Sequence, residues 1–178
     1  MPATVTIPKR PLTWFITGCS SGFGLLLARV VQANGHRLIA SSRNPQRTPD
    51  LVAEVEGKGG RWVQLDVNDP QNAKVIDDLE AAGEHIDVLV NNAGNGINGA
   101  VEQYTEEEVR PLMETHYFGP YRLIRAAVPN MRRRRFGIII NFSSGAALSG
   151  VHSMGPYGAG KAALDCKSAL PSNFPVVN

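Results

Sequence analysis

The sequence is poor in the residues that build covalent or metal-held frameworks. Only two of its 178 residues are cysteines, Cys19 and Cys166. No disulfide framework is expected, and reduced thiols are typical of the cytosol, so we predict a cytoplasmic protein. His36, His85 and His152 show no metal-ligand spacing with one another or with the cysteines, and no metal site is predicted.

Long apolar segments and a strong charge of one sign are also absent. No apolar run approaches the roughly 20 residues that a helix needs to cross a bilayer. Residues 1–11 contain three prolines instead of the continuous apolar segment of a secretion signal. The formal net charge of +2 gives no reason to expect attraction to nucleic acid or to membranes. With 43% hydrophobic residues, the composition is that of a globular domain.

Strand-like and helix-like segments alternate along the chain. The predicted strands are 12–17, 37–41, 61–65, 87–90 and 137–142, and the predicted helices are roughly 22–34, 49–57, 70–83, 105–133 and a last one from about 155. This alternation predicts the α/β class, with a Rossmann-like, doubly wound parallel sheet covered by helices on both faces. We expect one such domain over residues 1–165, followed by a divergent tail at 166–178.

The first predicted strand ends in a glycine-rich turn that leads directly into a helix. Gly18, Gly22 and Gly24 lie in this turn. One glycine permits the turn, one lets the backbone approach a diphosphate, and one lets the helix pack closely on the strand. Amide groups at the helix start then face the phosphate. A glycine-rich loop without a ligand is the alternative. The other residues of the turn that we expect at a dinucleotide are Ser20, Ser21 and Phe23.

The end of the second predicted strand indicates which dinucleotide is bound. Enzymes that prefer NAD place an acidic residue there, on the ribose hydroxyls. This strand ends instead in Ser41-Ser42-Arg43, without a carboxylate. A guanidinium can bind the 2′-phosphate of NADP with two hydrogen bonds. We therefore expect NADP(H) as the cofactor, held by Arg43, with a solvated loop arginine as the alternative.

A tyrosine and a lysine four residues apart indicate acid–base chemistry. Tyr157 and Lys161 project from the same face of the last predicted helix, one turn apart. An adjacent ammonium stabilises an ionised phenol, which allows a tyrosine to exchange a proton near neutral pH. This spacing alone is common, and a surface pair on a helix is the alternative.

Five motifs, in order over roughly residues 12–165, resemble those of the short-chain dehydrogenase/reductase family. They are the glycine turn, Asp66-Val67, Asn91-Asn92-Ala93-Gly94, residues 141–145 and the helix from Tyr157 to Lys161. The resemblance implies that Asp66 and Val67 lie near the adenine of the cofactor. The further cofactor contacts that it implies are Asn91, Ala93, Gly94, Tyr157 and Lys161.

The resemblance also implies hydride transfer between NADP(H) and a carbonyl or secondary alcohol carbon. Tyr157 would exchange a proton with the substrate oxygen, Ser144 would hold that oxygen, and Lys161 would assist the tyrosine. For Ser144 the alternative is a hydroxyl that caps the backbone at the end of a strand. Ser143 is the less favoured partner, because the family pattern places the active hydroxyl on the second serine.

One position departs from the family pattern inside the expected active site. Relatives usually carry an asparagine in the long helix, where it supports a proton-relay water next to the lysine. His116 occupies this place here. A neutral imidazole can hydrogen-bond such a water and take part in catalysis. Equally, it can be packed between helices and leave the relay broken.

After Asp165 the likeness ends. Pro171 and Pro175 cannot continue a helix, whereas in relatives the catalytic helix runs on and is followed by further strands and a substrate-covering segment. The chain is therefore interpreted as a C-terminally truncated member that lacks the last strands of the family fold. The predicted fifth strand, 137–142, would then be an apolar sheet edge.

Two functions follow from this interpretation. The first is an oxidoreductase that acts on a small, hydrophobic carbonyl or alcohol substrate, with loop segments similar to those of the family branch that handles such compounds. Relatives associate through the long helix and the catalytic helix, so a homo-oligomer is expected. The second is a nucleotide-binding or partner-binding fragment whose pocket is incomplete and whose catalysis is impaired.

Overall fold

A computed structural model of the chain describes residues 7–166 and 176–177. Its centre is a parallel sheet with the strand order β3-β2-β1-β4-β5-β6. The strands are β1 (Thr13–Ile16), β2 (Arg37–Ser42), β3 (Arg61–Gln64), β4 (Val88–Asn91), β5 (Ile138–Asn141) and β6 (Val176–Val177). The predicted Rossmann-like, doubly wound fold is confirmed.

Helices connect the strands and cover both faces of the sheet. They are α1 (Gly22–Ala33), α2 (Pro49–Gly57), α3 (Lys74–Ala81), α4 (Glu106–Met113), α5 (Gly119–Arg134) and α6 (Gly155–Cys166). A π-helical turn, Glu114–Phe118, joins α4 to α5. Short 3-10 turns lie at Pro45–Arg47, Val101–Gln103 and Gly145–Ala147. None of the helices formed by residues 7–166 combines the length and apolar character that a membrane span requires.

The central strands are mostly apolar because both of their faces are buried. Successive side chains of a strand point to opposite faces. Phe15 and Ile39 pack with α3 and α5 on one side. Ile16 and Leu38 pack with α1 and α2 on the other side. All four are at most 2% exposed.

The strand order reverses between β1 and β4, and this reversal positions the site. β1 pairs with β2 on one side and with β4 on the other. Because all strands are parallel, the segments that follow β1, β4 and β5 emerge at one edge of the sheet. A crevice forms at such a reversal, outside the carboxyl ends of the strands.

The prediction of one continuous helix over 105–133 is wrong in its middle. The π-helical turn divides it, and the hydroxyl of Thr115 lies 2.9 Å from the carbonyl oxygen of Pro111. Proline has no backbone N–H, and a side-chain hydrogen bond of this kind often bends a helix. The helix predicted to begin at 70 begins at Lys74 instead, because Asp69 accepts the amide of Gln71 in a tight turn.

The prediction that the fifth strand is a free sheet edge is also wrong. Val176 and Val177 pair in parallel with Ile139 and Ile140 and extend the sheet by one short strand. Extended β-branched residues are well suited to such a ladder. Most of the predicted tail, residues 167–175 and 178, lies outside the described residues, so its separation from the domain stays a prediction.

Candidate active site

The glycine turn after β1 is shaped by close contacts. Gly18 has a φ of +75°, and a Cβ added there would lie 2.9 Å from the Cα of Ala93. A Cβ on Gly24 would lie 2.3 Å from the carbonyl oxygen of Gly18. Gly24 is therefore the glycine that lets α1 pack against the turn, as the spacing predicts.

Gly22 faces open space at the start of α1. It has a φ of +57°, and no atom lies within 4 Å of an added Cβ. Ser21, the N-cap residue, makes no side-chain cap hydrogen bond. The first amide groups of α1 are therefore not capped by a side chain and can receive an anion. This cradle fits the diphosphate of a dinucleotide.

Two residues that the sequence analysis did not select brace the turn. The Thr17 hydroxyl oxygen accepts hydrogen bonds from the amides of Asn92, at 3.1 Å, and Ala93, at 3.0 Å. The Asn92 side-chain amide donates to the carbonyl oxygens of Thr17, at 2.8 Å, and Gly18, at 3.1 Å. Their position directly after two neighbouring strands was the available signal, because both strand ends meet at the same sheet edge.

A groove of about 350 Å³ runs along this edge. Most residues predicted to contact a cofactor line it: Gly18, Ser20, Ser21, Gly22, Phe23, Arg43, Asp66, Val67, Ala93 and Gly94. Ser42, which with Ser41 and Arg43 was considered for the 2′-phosphate, also lines it. The lining residues that the sequence analysis did not assign are Leu65, Asn68, Asn92, Asn95 and Thr115. Glycines and polar side chains among the lining residues give the groove the character of a nucleotide site.

Gly24 and Asn91 lie behind the groove and do not line it. Asn91 is 3% exposed, and its side-chain amide donates to Asn141 Oδ1 at 2.9 Å. This bond joins β4 to β5 at positions that are paired in the sheet. Asn91 therefore holds the sheet edge together beneath the groove.

The end of β2 carries no carboxylate, as predicted. Ser41 is buried and donates to the Ile16 carbonyl oxygen at 3.2 Å, so its hydroxyl is turned away from the groove. Ser42 lines the groove and accepts a hydrogen bond from Trp62 Nε1 at 3.1 Å. Arg43 is exposed at the groove wall. Of the three residues, Arg43 is the charged one that is exposed at the groove, and the Ser42 hydroxyl keeps its own proton to donate there.

Helix α6 carries Tyr157 and Lys161. Lys161 is 5% exposed, and its Nζ lies 5.9 Å from the centre of the Tyr157 ring. The same Nζ donates to the carbonyl oxygen of Phe142 at 2.5 Å. A surface pair on a helix is thereby excluded for these two side chains.

His116 packs against the same helix. Its ring meets the ring of Tyr157 edge to face, with centres 5.3 Å apart. A Cβ on Gly160 would lie 3.1 Å from the Cβ of His116, so the glycine before Lys161 makes room for this contact. His116 Nε2 lies 2.6 Å from the carbonyl oxygen of Asn95. Since a carbonyl only accepts, Nε2 carries the proton of the neutral ring.

The loop after β4 connects the groove to these side chains. A Cβ on Gly94, which lines the groove, would lie 3.0 Å from His116 Cε1 and 3.6 Å from Lys161 Nζ. A Cβ on Gly96 would lie 3.5 Å from Tyr157 Cδ2. Lys161 and His116 therefore lie next to the groove-lining Gly94, and Tyr157 lies next to Gly96, two residues further along the same loop. Tyr157 and Lys161, which were predicted to contact the cofactor, are not themselves among the residues that line the groove.

Ser144 begins the 3-10 turn that follows β5. Its hydroxyl oxygen accepts the amide of Ala146 at 3.2 Å, which is the capping arrangement. This bond occupies the oxygen and leaves the hydroxyl proton free to donate. The turn packs on α6 next to Tyr157, because a Cβ on Gly158 would lie 2.7 Å from the Ala146 carbonyl oxygen. The Ser143 hydroxyl donates instead to the Asp165 carboxylate.

Burial sets the charges of this cluster. Burial, followed by the charge of Lys161, lowers the pKa of His116 to about 4, so the imidazole is neutral at pH 7. Its Nδ1 is buried without a partner among the described residues. Burial also lowers the pKa of Lys161, while the Asp165 carboxylate raises it. A neutral acceptor and a desolvated ammonium thus lie on either side of Gly94.

The chain is similar to known oxidoreductases. A family model described as short chain dehydrogenase matches residues 13–168. Oxidoreductase claN of Passalora fulva is 40% identical over 155 residues, which are 86% of this chain and 70% of that protein. The chain spans about half the length of other curated relatives that it matches.

Solved structures are similar over nearly the whole chain. A short-chain dehydrogenase from Streptomyces avermitilis is 37% identical with a TM-score of 0.87, over 96% of this chain and 65% of that one. A metagenomic short-chain oxidoreductase in complex with NADP is 28% identical with a TM-score of 0.84, over 93% of this chain and 79% of that one. With its fold, its glycine turn and its Tyr157–Lys161 helix, the chain belongs to the short-chain dehydrogenase/reductase family of oxidoreductases, which use nicotinamide cofactors.

Proposed function

We propose that the chain binds NADP(H) in the groove and exchanges a proton with the oxygen of a carbonyl or secondary alcohol substrate. One observation carries the proposal: the buried Lys161 lies beside the groove-lining Gly94, with the Tyr157 ring 5.9 Å from its Nζ. When bound, the nicotinamide supplies or accepts the hydride. Ser144, Tyr157 and Lys161 perform the proton chemistry.

The groove offers a separate place for each part of the cofactor. The open cradle at Gly22 would hold the diphosphate. Asp66 and Val67, at the end of β3, would border the adenine. Gly94, beside Lys161 and His116, would lie at the nicotinamide end, where Lys161 and Tyr157 would reach the ribose. Gly24 and Asn91 would act indirectly, by fixing the backbone of the groove.

Arg43 is the residue that would select NADP(H) over NAD(H). It is exposed at the groove wall after a strand without a terminal carboxylate, and a structural neighbour in this family was solved with NADP.

A charge-assisted hydrogen bond contributes about 1.5–3 kcal/mol. We expect Arg43→Ala to weaken NADPH binding by roughly 10- to 100-fold and to leave NADH binding within about twofold. Arg47→Ala, on the adjacent exposed turn, is the matched control. Equal losses for both cofactors, measured by fluorescence titration, would contradict this role.

Three side chains of the chain would move or hold the proton. In the reductive direction the Tyr157 hydroxyl donates to the substrate oxygen. The Lys161 ammonium stabilises the phenolate that is left, and it acts strongly because it is buried. Ser144 donates its free hydroxyl proton to the same oxygen and holds it in place. Acid–base catalysis by a positioned group is worth about 10²–10⁴ in rate.

His116 would take the place of the relay asparagine. The structure shows it packed between helices, yet its unpartnered Nδ1 lies on the side of Gly94, near Lys161. We propose that Nδ1 accepts a hydrogen bond from a water beside the ammonium. Such a water would return protons to Tyr157 through Lys161.

The surroundings of Tyr157 favour a hydrophobic substrate. The loops after β4 and β5 are joined by hydrogen bonds from the Gly99 amide and the Tyr104 hydroxyl to the carbonyl oxygen of Ser153. These loops expose large apolar side chains, with Val101 80% and Leu148 88% exposed. We therefore propose an apolar carbonyl or alcohol compound as the substrate.

The proposal is tested by measuring NADPH binding and NADPH oxidation with the same preparation. NADPH fluorescence gives the affinity, and a panel of apolar ketones and aldehydes gives the turnover. Tyr157→Phe is expected to bind NADPH and to lose turnover, while Tyr121→Phe, on the exposed face of α5, keeps both. Binding without any turnover in the wild type would favour the impaired nucleotide-binding fragment. Turnover that survives in Tyr157→Phe would overturn the mechanism.

We also propose that the protein is cytoplasmic and forms a homo-oligomer. Cys19 and Cys166 are both free thiols, which suits a reducing compartment. The family resemblance places subunit contacts on α5 and α6. Light scattering coupled to gel filtration would show a mass above 19.2 kDa if chains associate.

A further inference from the structure

We propose that Asp165 is a positioning residue of the active site, which fixes the strand end that carries Ser144 and supplies the negative charge that keeps the buried Lys161 ammonium protonated. The inference rests on the proposed function of the Tyr157 and Lys161 pair. It concerns a carboxylate that takes no direct part in that chemistry.

The first observation is a hydrogen bond between α6 and the end of β5. Ser143 Oγ donates to Asp165 Oδ2 at 2.7 Å. Asp165 is half-buried, and it lies one turn after Lys161 on the same helix. The bond therefore holds the residue directly before Ser144 against the catalytic helix. It also orients Ser143 away from the substrate, which leaves Ser144 as the available hydroxyl.

The second observation is that residues 7–166 offer no other counter-charge for Lys161. Its Nζ donates to the carbonyl oxygen of Phe142, a neutral group. The titratable groups that face it are Tyr157 and Asp165 on its own helix and His116 on the π-helical turn. His116 is neutral at pH 7, so Asp165 is the group among the described residues that carries an opposite charge.

The third observation concerns the other carboxylate oxygen. Asp165 Oδ1 is buried and has no hydrogen-bond partner among the described residues. An unsatisfied buried carboxylate oxygen is costly unless a nearby positive charge offsets it. Lys161, one turn earlier, is such a charge, and the Asp165 carboxylate in turn raises the pKa that burial lowers. The Asp165 carboxylate therefore stabilises the charged form of Lys161.

Two variants separate the two parts of the role. Asp165→Asn keeps an oxygen that accepts from Ser143 but removes the charge, so Lys161 should lose its proton at a lower pH. The alkaline limb of the kcat profile should move to lower pH. Ser143→Ala keeps the charge but removes the hydrogen bond. It should lower kcat about tenfold through misplacement of Ser144, with the alkaline limb unmoved.

A readout that needs neither cofactor nor substrate decides the charge effect. The protonation of Lys161 can be followed by NMR of lysine labelled with ¹³C at Cε, with Lys161→Arg used to assign the signal. We expect the Lys161 midpoint to fall in Asp165→Asn, to be restored in Asp165→Glu and to stay in place in Ser143→Ala. Asp77→Asn, an exposed carboxylate on α3, is the matched control.

The outcomes distinguish this inference from the proposed function. If the wild type turns over and Tyr157→Phe does not, but Asp165→Asn keeps the wild-type Lys161 midpoint and alkaline limb, the role of Asp165 is overturned alone. If no variant turns over, the NMR titration still decides the Lys161–Asp165 coupling. A Tm and an NADPH affinity close to the wild type show that Asp165→Asn is folded. If Asp165→Asn is not folded, Asp165→Glu and Ser143→Ala are the variants that test the role of Asp165.

Discussion

At the scale of single residues, glycines decide how closely the site can be assembled. Gly24 lets α1 approach the turn after β1, Gly158 lets α6 approach the turn that Ser144 begins, and Gly160 admits the ring of His116. At each of these positions an added Cβ would lie closer than ordinary van der Waals contact. The segment Tyr157-Gly158-Ala159-Gly160-Lys161 is therefore a packing surface as well as the proposed catalytic motif.

The close approach at Gly24 predicts a large effect of one methyl group. In Gly24→Ala the Cβ would meet the backbone of Gly18, which cannot move without distorting the cradle. We expect a loss of about 1–3 kcal/mol in the free energy of unfolding, together with weaker NADPH binding. Gly57→Ala, at the end of α2 with no atom within 4 Å of the new Cβ, is the matched control and should be neutral or stabilising. Urea unfolding measures both, and equal stabilities would contradict the packing role.

Residue types in fixed spacing could be predicted from the sequence, whereas roles that depend on contacts across the sheet could not. The glycine turn and the Tyr157 and Lys161 pair were identified because their spacing has a direct geometric meaning. Thr17 and Asn92 were missed because their hydrogen bonds join segments about 75 residues apart. Asn91 was assigned to the cofactor, although its amide is turned to Asn141 inside the sheet.

At the scale of elements, the π-helical turn between α4 and α5 sets the position of His116. A π-turn widens a helix locally and often marks a functional site. Here it holds His116 with 1% exposure between Asn95 and α6. The hydroxyl of Thr115 lies 2.8 Å from Asn68 Oδ1, so the same turn also contacts the groove near β3. The helical periodicity of 105–133 gave no sign of this interruption, because the residues on both sides keep an apolar face.

The buried His116 predicts a specific loss of stability in acid. Its folded-state pKa of about 4 lies below the ~6.5 of a free imidazole. The unfolded chain therefore takes up the proton first as the pH falls, and the folded state loses stability between about pH 6.5 and 4, by roughly 3 kcal/mol in all. His116→Asn should remove this contribution, and His152→Asn, an exposed histidine, should not. Denaturant titrations at several pH values measure the free energy of unfolding. If it depends on pH in the same way in wild type and in His116→Asn, the prediction is contradicted.

At the scale of the whole molecule, the order of apolar strands along the chain was enough to predict the topology. The central strands were found because burial on both faces leaves an apolar run, as in β4, where all four residues are buried. The last strand was not found, because two valines directly after Pro175 carry no periodic signal. Its pairing with β5 changes an expected open edge into an interior strand of the sheet.

Removal of the last strand should therefore expose an aggregation-prone edge. A chain that ends at residue 175 would leave the backbone groups of Ile139 and Ile140 without their parallel partner. We expect a lower Tm and concentration-dependent association, measured by light scattering. A chain shortened only by Asn178 is the control. If both shortened chains stay as stable and as dispersed as the full chain, β6 does not protect the sheet.

The central claim is that the Tyr157 hydroxyl, supported by the buried Lys161 ammonium, exchanges the proton at the end of the cofactor groove. Single-turnover oxidation of bound NADPH by a carbonyl substrate, in wild type and in Tyr157→Phe, tests it most directly. The account predicts a rate about 10²–10⁴ lower in the variant, with an NADPH Kd within about twofold of the wild type. A variant that oxidises NADPH within about threefold of the wild-type rate would contradict it.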